Sequence, residues 1–207
     1  MGQRTHFVIV AEDKTKNKGR VTILYNSWGI GRIMPMSLMS LMANLKGFDM
    51  YSGREFVNNA MVDFRRLGYI KEEEIEYQDG IAVDKDFPIQ NFSDWRDVKV
   101  AGEYMKDFDN NNGCLFVFVT LTQDKFGNVN IKKELAWMLG WEDARDAENR
   151  KYGSAFSKWL TTNQWMSLEI NNHWWGKDKE FKELFNRFLA YFEFKPLTPP
   201  RKARNAA

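Results

Sequence analysis

The segment Cys114-Leu115-Phe116-Val117-Phe118-Val119-Thr120-Leu121-Thr122 is the strongest constraint on the fold, because it is almost continuously apolar and rich in β-branched and aromatic residues. A strand of this kind has no face to offer water. It belongs in the centre of a sheet with helices on both sides. The turn residues Gln123-Asp124-Lys125-Phe126-Gly127-Asn128 follow, and Val129-Asn130-Ile131 reads as the returning strand, so the run predicts a hairpin over about residues 114–135.

A second hairpin is predicted at the start of the chain. Residues 3–11 and 19–28 alternate in polarity on either side of a charged turn containing Asn17 and Gly19. Between the hairpins the apolar period changes to that of helices. Met36, Leu38, Met39, Leu41, Met42 and Leu45 fall three and four apart over residues 35–46, after Pro35 in the first turn. Phe56, Ala60, Met61 and Phe64 predict a second helix over 54–67, ended by Gly68. Residues 70–90 read as a long connection with one short strand near Ile75–Tyr77 or Ile81–Val83. Ser93 is placed to cap a third helix from Asp94 to Phe108.

The last third, 135–194, reads as mainly helical and contains six of the eight tryptophans. Phe181, Leu184, Phe185, Phe188, Leu189 and Phe192 form the stripe of an amphipathic helix over 178–193. The expected fold is therefore α+β: a mostly antiparallel sheet of two hairpins, about residues 3–28 and 114–135, covered by helices, with an aromatic-rich helical C-terminal third. The chain divides into a single α+β domain, 1–194, and a basic, proline-containing tail, 195–207.

Composition narrows function mostly by exclusion. Thirty basic and twenty-eight acidic side chains leave a net charge of +2, too balanced to impose nucleic-acid binding. The single cysteine, Cys114, rules out an internal disulfide and suits a reducing cytoplasm. The sequence shows neither a secretion signal nor eighteen consecutive apolar residues, so no membrane contact is expected. His6 and His173 are the only histidines and form no His-x-x-x-His pair, which argues against zinc. Carboxylates such as Asp79, Asp84, Asp86, Asp107 and Asp109 have no distinctive spacing for magnesium, and Gly29-Ile30-Gly31-Arg32 lacks the ending of a phosphate loop. No metal and no cofactor are expected.

Two sets of residues remain as site candidates. The end of the first hairpin gathers Arg4, Tyr25, Asn26, Trp28 and Arg32, an aromatic, amide and cationic cluster suited to a partner. His6 lies among them and is the one candidate general base; with Tyr25, Arg4 and Arg32 it would supply the base, acid and cation of a ribonuclease. Trp174 and Trp175, in Asn171-Asn172-His173-Trp174-Trp175-Gly176, are candidate platforms for stacking a nucleic-acid base.

The N-terminal motif, Gln3-Arg4-Thr5-x-Phe7-x-Ile9 followed by Tyr25-Asn26-x-Trp28-Gly29-Ile30-Gly31-Arg32, resembles the opening of small proteins from phages and mobile elements of Gram-positive bacteria, anti-CRISPR proteins among them. The resemblance covers about the first forty residues. It implies an anti-defence interaction protein in the cytoplasm of a bacterial host, whose partner is a protein or protein–RNA complex such as a CRISPR nuclease with its guide RNA. The alternatives are a ribonuclease, metal-independent or magnesium-dependent, acting on guide RNA, and a phage structural or assembly protein. The resemblance carries no catalytic residues.

Overall fold

The computed structural model describes residues 4–26, 81–89, 91–108, 110, 112–141, 152–167 and 179–198. The expected helices at 35–46 and 54–67 lie outside the described residues. Both predicted hairpins are present. Strands β1 (Thr5–Asp13) and β2 (Lys18–Asn26) pair antiparallel from Thr5–Asn26 to Asp13–Lys18. Asn17 takes a left-handed φ of 49° in their turn, and the Asp13 carboxylate accepts from the amides of Thr15 at 2.9 Å and Lys16 at 3.2 Å. An asparagine is among the few residues that tolerate this backbone, so the local sequence fixes the turn.

Strand β3 (Ile81–Ile89) adds to β2, antiparallel, with a register shift between Ile23 and Leu24. It is nine residues long, where the sequence pattern supports only a short strand in this connection. Strands β4 (Cys114–Gln123) and β5 (Val129–Met138) form the second hairpin, which runs beyond residue 135. With the two-residue β6 (Lys195–Pro196), the sheet order is β3-β2-β1-β4-β5-β6.

The sheet is mixed. β1 and β4 run parallel, in register from His6–Cys114 to Asp13–Leu121, and β6 is parallel to β5. Polarity alternation reports which face a side chain takes and carries no information on the direction of the neighbouring strand, so the join between the hairpins was not legible as parallel. β6 lies in the segment read as a tail. Leu197 is buried and its amide donates to the Leu135 carbonyl at 3.0 Å.

As the apolar run requires, β4 is central and Cys114 through Thr120 are buried whichever face they take. One face joins Val8, Val10, Val21, Ile23, Phe116 and Phe118 to the residues that cover them, including Trp95, Ala101, Met105 and Phe156. On the other face Trp137 stacks on Trp165 at 3.9 Å, and its indole Nε1 donates to the Thr162 hydroxyl at 3.0 Å. Satisfying the indole N–H allows the whole ring to be buried.

The third predicted helix is broken in two. A 3₁₀ helix (Phe92–Arg96) is followed by α1 (Val98–Met105), and Asp97 between them is extended at φ −78°, ψ 118°. Its carboxylate accepts from the Lys99 amide at 2.8 Å, so Asp97 caps α1 and Ser93 lies within the 3₁₀ turn. Thr161 begins α2 (Thr162–Met166) with a reciprocal Thr–Gln capping box, and α3 (Lys179–Tyr191) completes the described helices. Among the described residues no helix is long and apolar enough to cross a membrane.

Candidate functional site

A cleft of about 360 Å³ opens where the parallel strands β1 and β4 end, lined by Glu12, Lys14, Asn91, Phe92, Ser93, Arg96, Thr120 and Lys132. Such carboxyl ends are common binding positions in sheets containing parallel strands, because the connections diverge there and leave a crevice. Register explains the gathering. Glu12 of β1 is opposite Thr120 of β4, and Thr120 is opposite Lys132 of β5, so these three side chains share a face. The β1–β2 turn brings Lys14 to the rim, and the 3₁₀ helix brings Phe92 and Arg96 over it.

The charges of the cleft rest on a buried acid. Glu134 is 1% exposed, and its carboxylate accepts from the Arg96 guanidinium, from Lys132 Nζ at 2.9 Å and from the Thr198 amide at 3.3 Å. Burial pushes the Glu134 carboxyl up, but the bonds from Arg96 and Lys132, the Arg96 charge and the Thr198 amide outweigh it and hold the group below its ordinary value. Arg96 is fixed on a second side by aromatic rings, its guanidinium carbon 5.2 Å from the Phe92 centroid and 5.4 Å from that of Phe118. Lys14 is held more loosely, 3.8 Å from Glu12. Among the described residues, three cations thus meet two carboxylates, one of which lies beneath the floor.

The β4–β5 hairpin that forms one wall of the cleft also carries an apolar surface. Phe126 is 77% exposed at its tip, and Val129 and Ile131 on β5 are 56% and 43% exposed. The tip is ordered by its own sequence. Asp124 Oδ1 accepts from the amides of Phe126 at 2.8 Å and Asn128 at 3.0 Å, Asn128 Nδ2 donates to Asp124 Oδ2 at 2.9 Å, and Gly127 takes the positive φ of 87° that the turn demands. Lys125 Nζ lies 4.9 Å from the Phe126 ring, and Lys133 Nζ lies 5.8 Å from the rings of Phe192 and Phe194 at the end of α3.

Of the sequence candidates, Arg4, His6 and Tyr25 lie at the opposite end of β1, where the rings of His6 and Tyr25 meet. The His6 ring is enclosed by Tyr25 at 5.3 Å and Phe108 at 5.2 Å, and the residue is 1% exposed. Its Nδ1 is 2.8 Å from Asn110 Nδ2, whose two N–H groups are shared with the Gly113 carbonyl at 3.0 Å and Cys114 Sγ at 2.9 Å. Because the Gly113 amide holds Asn110 Oδ1 at 2.8 Å, the amide nitrogen is the atom turned to His6, and Nδ1 is the acceptor. The arrangement ties the start of β1 to the start of β4 and encloses the ring that a general base would have to present. Arg4 is half-buried and its carbonyl accepts from the Asn112 amide at 3.0 Å; Tyr25 is also half-buried. Asn26 pairs with Thr5 through the strand, while its side chain, together with Trp28, Arg32, Trp174 and Trp175, lies outside the described residues.

Sequence reading missed Lys14, Arg96, Thr120, Lys132 and Glu134 as a group. One signal was available. Glu134 falls in phase with Ala136 and Met138 on the inward face of β5, and an acid at such a position calls for a cation. Comparison with known proteins adds no relative: no family model, no curated protein and no solved structure matches this chain.

Proposed function

We propose that this protein is an anti-defence interaction protein of a mobile genetic element, acting in the cytoplasm of a bacterial host by binding a CRISPR nuclease loaded with its guide RNA. The N-terminal motif supports the mobile-element origin. The observation that carries a binding role is the β4–β5 hairpin, where Phe126, Val129 and Ile131 are exposed near Lys125 and Lys133. Apolar side chains held on an ordered turn lose little entropy on docking, and neighbouring lysines match a partner that carries RNA phosphates.

The test is to incubate the purified protein with guide-loaded nuclease and to follow both DNA cleavage and RNA length. Stoichiometric block of cleavage with intact RNA is expected. Replacing Phe126 and Ile131 together by Ser should weaken the block about a hundredfold, since two central contacts of this kind contribute about 3 kcal/mol or more, with the melting temperature nearly unchanged. Shortened RNA would establish a ribonuclease instead, and nuclease activity untouched at saturating protein would remove the reading.

A further inference from the structure

We propose that the cleft at the carboxyl ends of β1 and β4 is a binding site for the phosphate group of a nucleotide-sized ester. It is separate from the apolar hairpin surface, and the inference does not depend on the identity of the macromolecular partner.

The cations approach from three elements: Lys14 from the β1–β2 turn, Arg96 from the 3₁₀ helix and Lys132 from β5. A terminal phosphate has three oxygens to offer donors arriving from different directions, whereas a planar carboxylate is better served by one fork. Donors remain for this purpose. The Lys132 ammonium has three N–H groups and the Arg96 guanidinium five, and Glu134 takes only part of each set. Thr120 adds a neutral donor. It is 7% exposed and lines the cleft, on the same face as Lys132. A hydroxyl in that position can donate to a phosphate oxygen.

Size distinguishes an ester from the bare ion. The cleft's 360 Å³ falls at the lower end of small-molecule sites, about 300–1,000 Å³. Inorganic phosphate would leave most of it to water. Phe92 supplies an apolar wall, and Asn91 and Ser93 at the rim supply polar groups for the remainder of the ligand. Charge agrees: among the described residues, three cations against Glu12 and Glu134 leave a net positive charge, the sign that attracts an anionic phosphate ester.

The experiment measures binding of adenosine monophosphate to the full chain by calorimetry at low salt, with adenosine, inorganic phosphate and two short RNAs, 5′-phosphorylated and 5′-hydroxyl, as further probes. Saturable binding of the monophosphate is expected, with no binding of adenosine and with competition by inorganic phosphate at higher concentration. Lys14→Ala, Lys132→Gln and Thr120→Val should each weaken it, the last two by about tenfold, the loss typical of one hydrogen bond to a charged group. Thr120→Val preserves shape and charge, so its effect separates a built site from general attraction to a basic surface. Preference for 5′-phosphorylated over 5′-hydroxyl RNA with the same dependence on Thr120 would identify an RNA end as the source of the phosphate; binding of the mononucleotide alone would identify a free nucleotide. Equal affinity for adenosine and its monophosphate, unchanged affinity in Thr120→Val and Lys132→Gln, or RNA binding indifferent to the 5′ phosphate would overturn the proposal.

Discussion

Gly102→Ala should destabilise the protein by about 3 kcal/mol, the upper part of the range for overpacking a filled interior. At an exposed helical position the same change would stabilise by about 0.5–1 kcal/mol, because alanine loses less conformational freedom than glycine. Here the sign reverses. A Cβ on Gly102, in the middle of α1, would stand 2.0 Å from the Phe156 carbonyl oxygen and 3.1 Å from the Phe156 carbonyl carbon. Those are backbone atoms, so no rotamer change can relieve the overlap. The segment around Phe156 has little room to retreat. Its amide donates to the Leu139 carbonyl at 2.9 Å, the Phe156 backbone is already at a φ of 52°, and Trp159 Nε1 is bonded to the Arg96 carbonyl at 3.0 Å. Moving α1 outward instead would lift Ala101 and Met105 from the core. Urea denaturation measures the effect, and a melting temperature lower by about 6–12 °C is the corresponding shift for a chain of this size. A stability equal to or above that of the parent would mean that this close approach of α1 to the Phe156 segment is absent in solution.

That contact also marks the limit of what the sequence revealed. Period and turn chemistry were enough for the hairpins, because the alternation in residues 3–11 and 19–28, Asn17, Asp124 and Gly127 are each local requirements with few solutions. The apolar run in β4 correctly implied cover on both faces. Direction was different: whether β1 meets β4 parallel or antiparallel depends on the path of the chain between the hairpins, which polarity does not encode. The break at Asp97 was missed because Ser93 and Asp97 are equally good caps in isolation, and the packing of Trp95 and Phe92 against the sheet decides between them. The cleft was the least legible part. Its members come from the first turn, the 3₁₀ helix and three strands, separated by as many as 120 residues between Glu12 and Lys132. Nothing short of the parallel pairing of β1 with β4 brings them together. His6 is the converse case: histidine draws attention by its chemistry, and in the fold its ring is buried beside Asn110 where two strand ends meet.

Arg96→Ala should cost about 3–5 kcal/mol at neutral pH, the usual consequence of leaving one member of a buried ion pair without its main partner. The acid left behind is Glu134, 1% exposed, with Lys132 at 2.9 Å and the Thr198 amide at 3.3 Å as its remaining donors among the described residues. The dependence on pH separates this cause from simple loss of packing by the arginine stem. In the parent, burial raises the Glu134 carboxyl but Arg96, Lys132 and the Thr198 amide together lower it further, so its net displacement is downward. A carboxyl lowered on folding contributes stability that is fully present above its unfolded value, about 4.3, and that is lost as pH falls through the folded one. Without Arg96 the burial contribution has less to oppose it and the Glu134 carboxyl moves up; protonation then relieves the buried charge instead of breaking a bond. The penalty of Arg96→Ala should therefore be largest at pH 7 and should shrink as pH falls toward 4.5. Adding Glu134→Gln to Arg96→Ala should restore part of the lost stability at pH 7, because the unpaired charge is gone, and should flatten the pH dependence. Chemical denaturation of the two variants and the parent at both pH values measures this directly. A penalty that is the same at pH 7 and pH 4.5, and that Glu134→Gln leaves unchanged, would assign the role of Arg96 to its contacts with Phe92 and Phe118 and would leave the cleft without a charged floor.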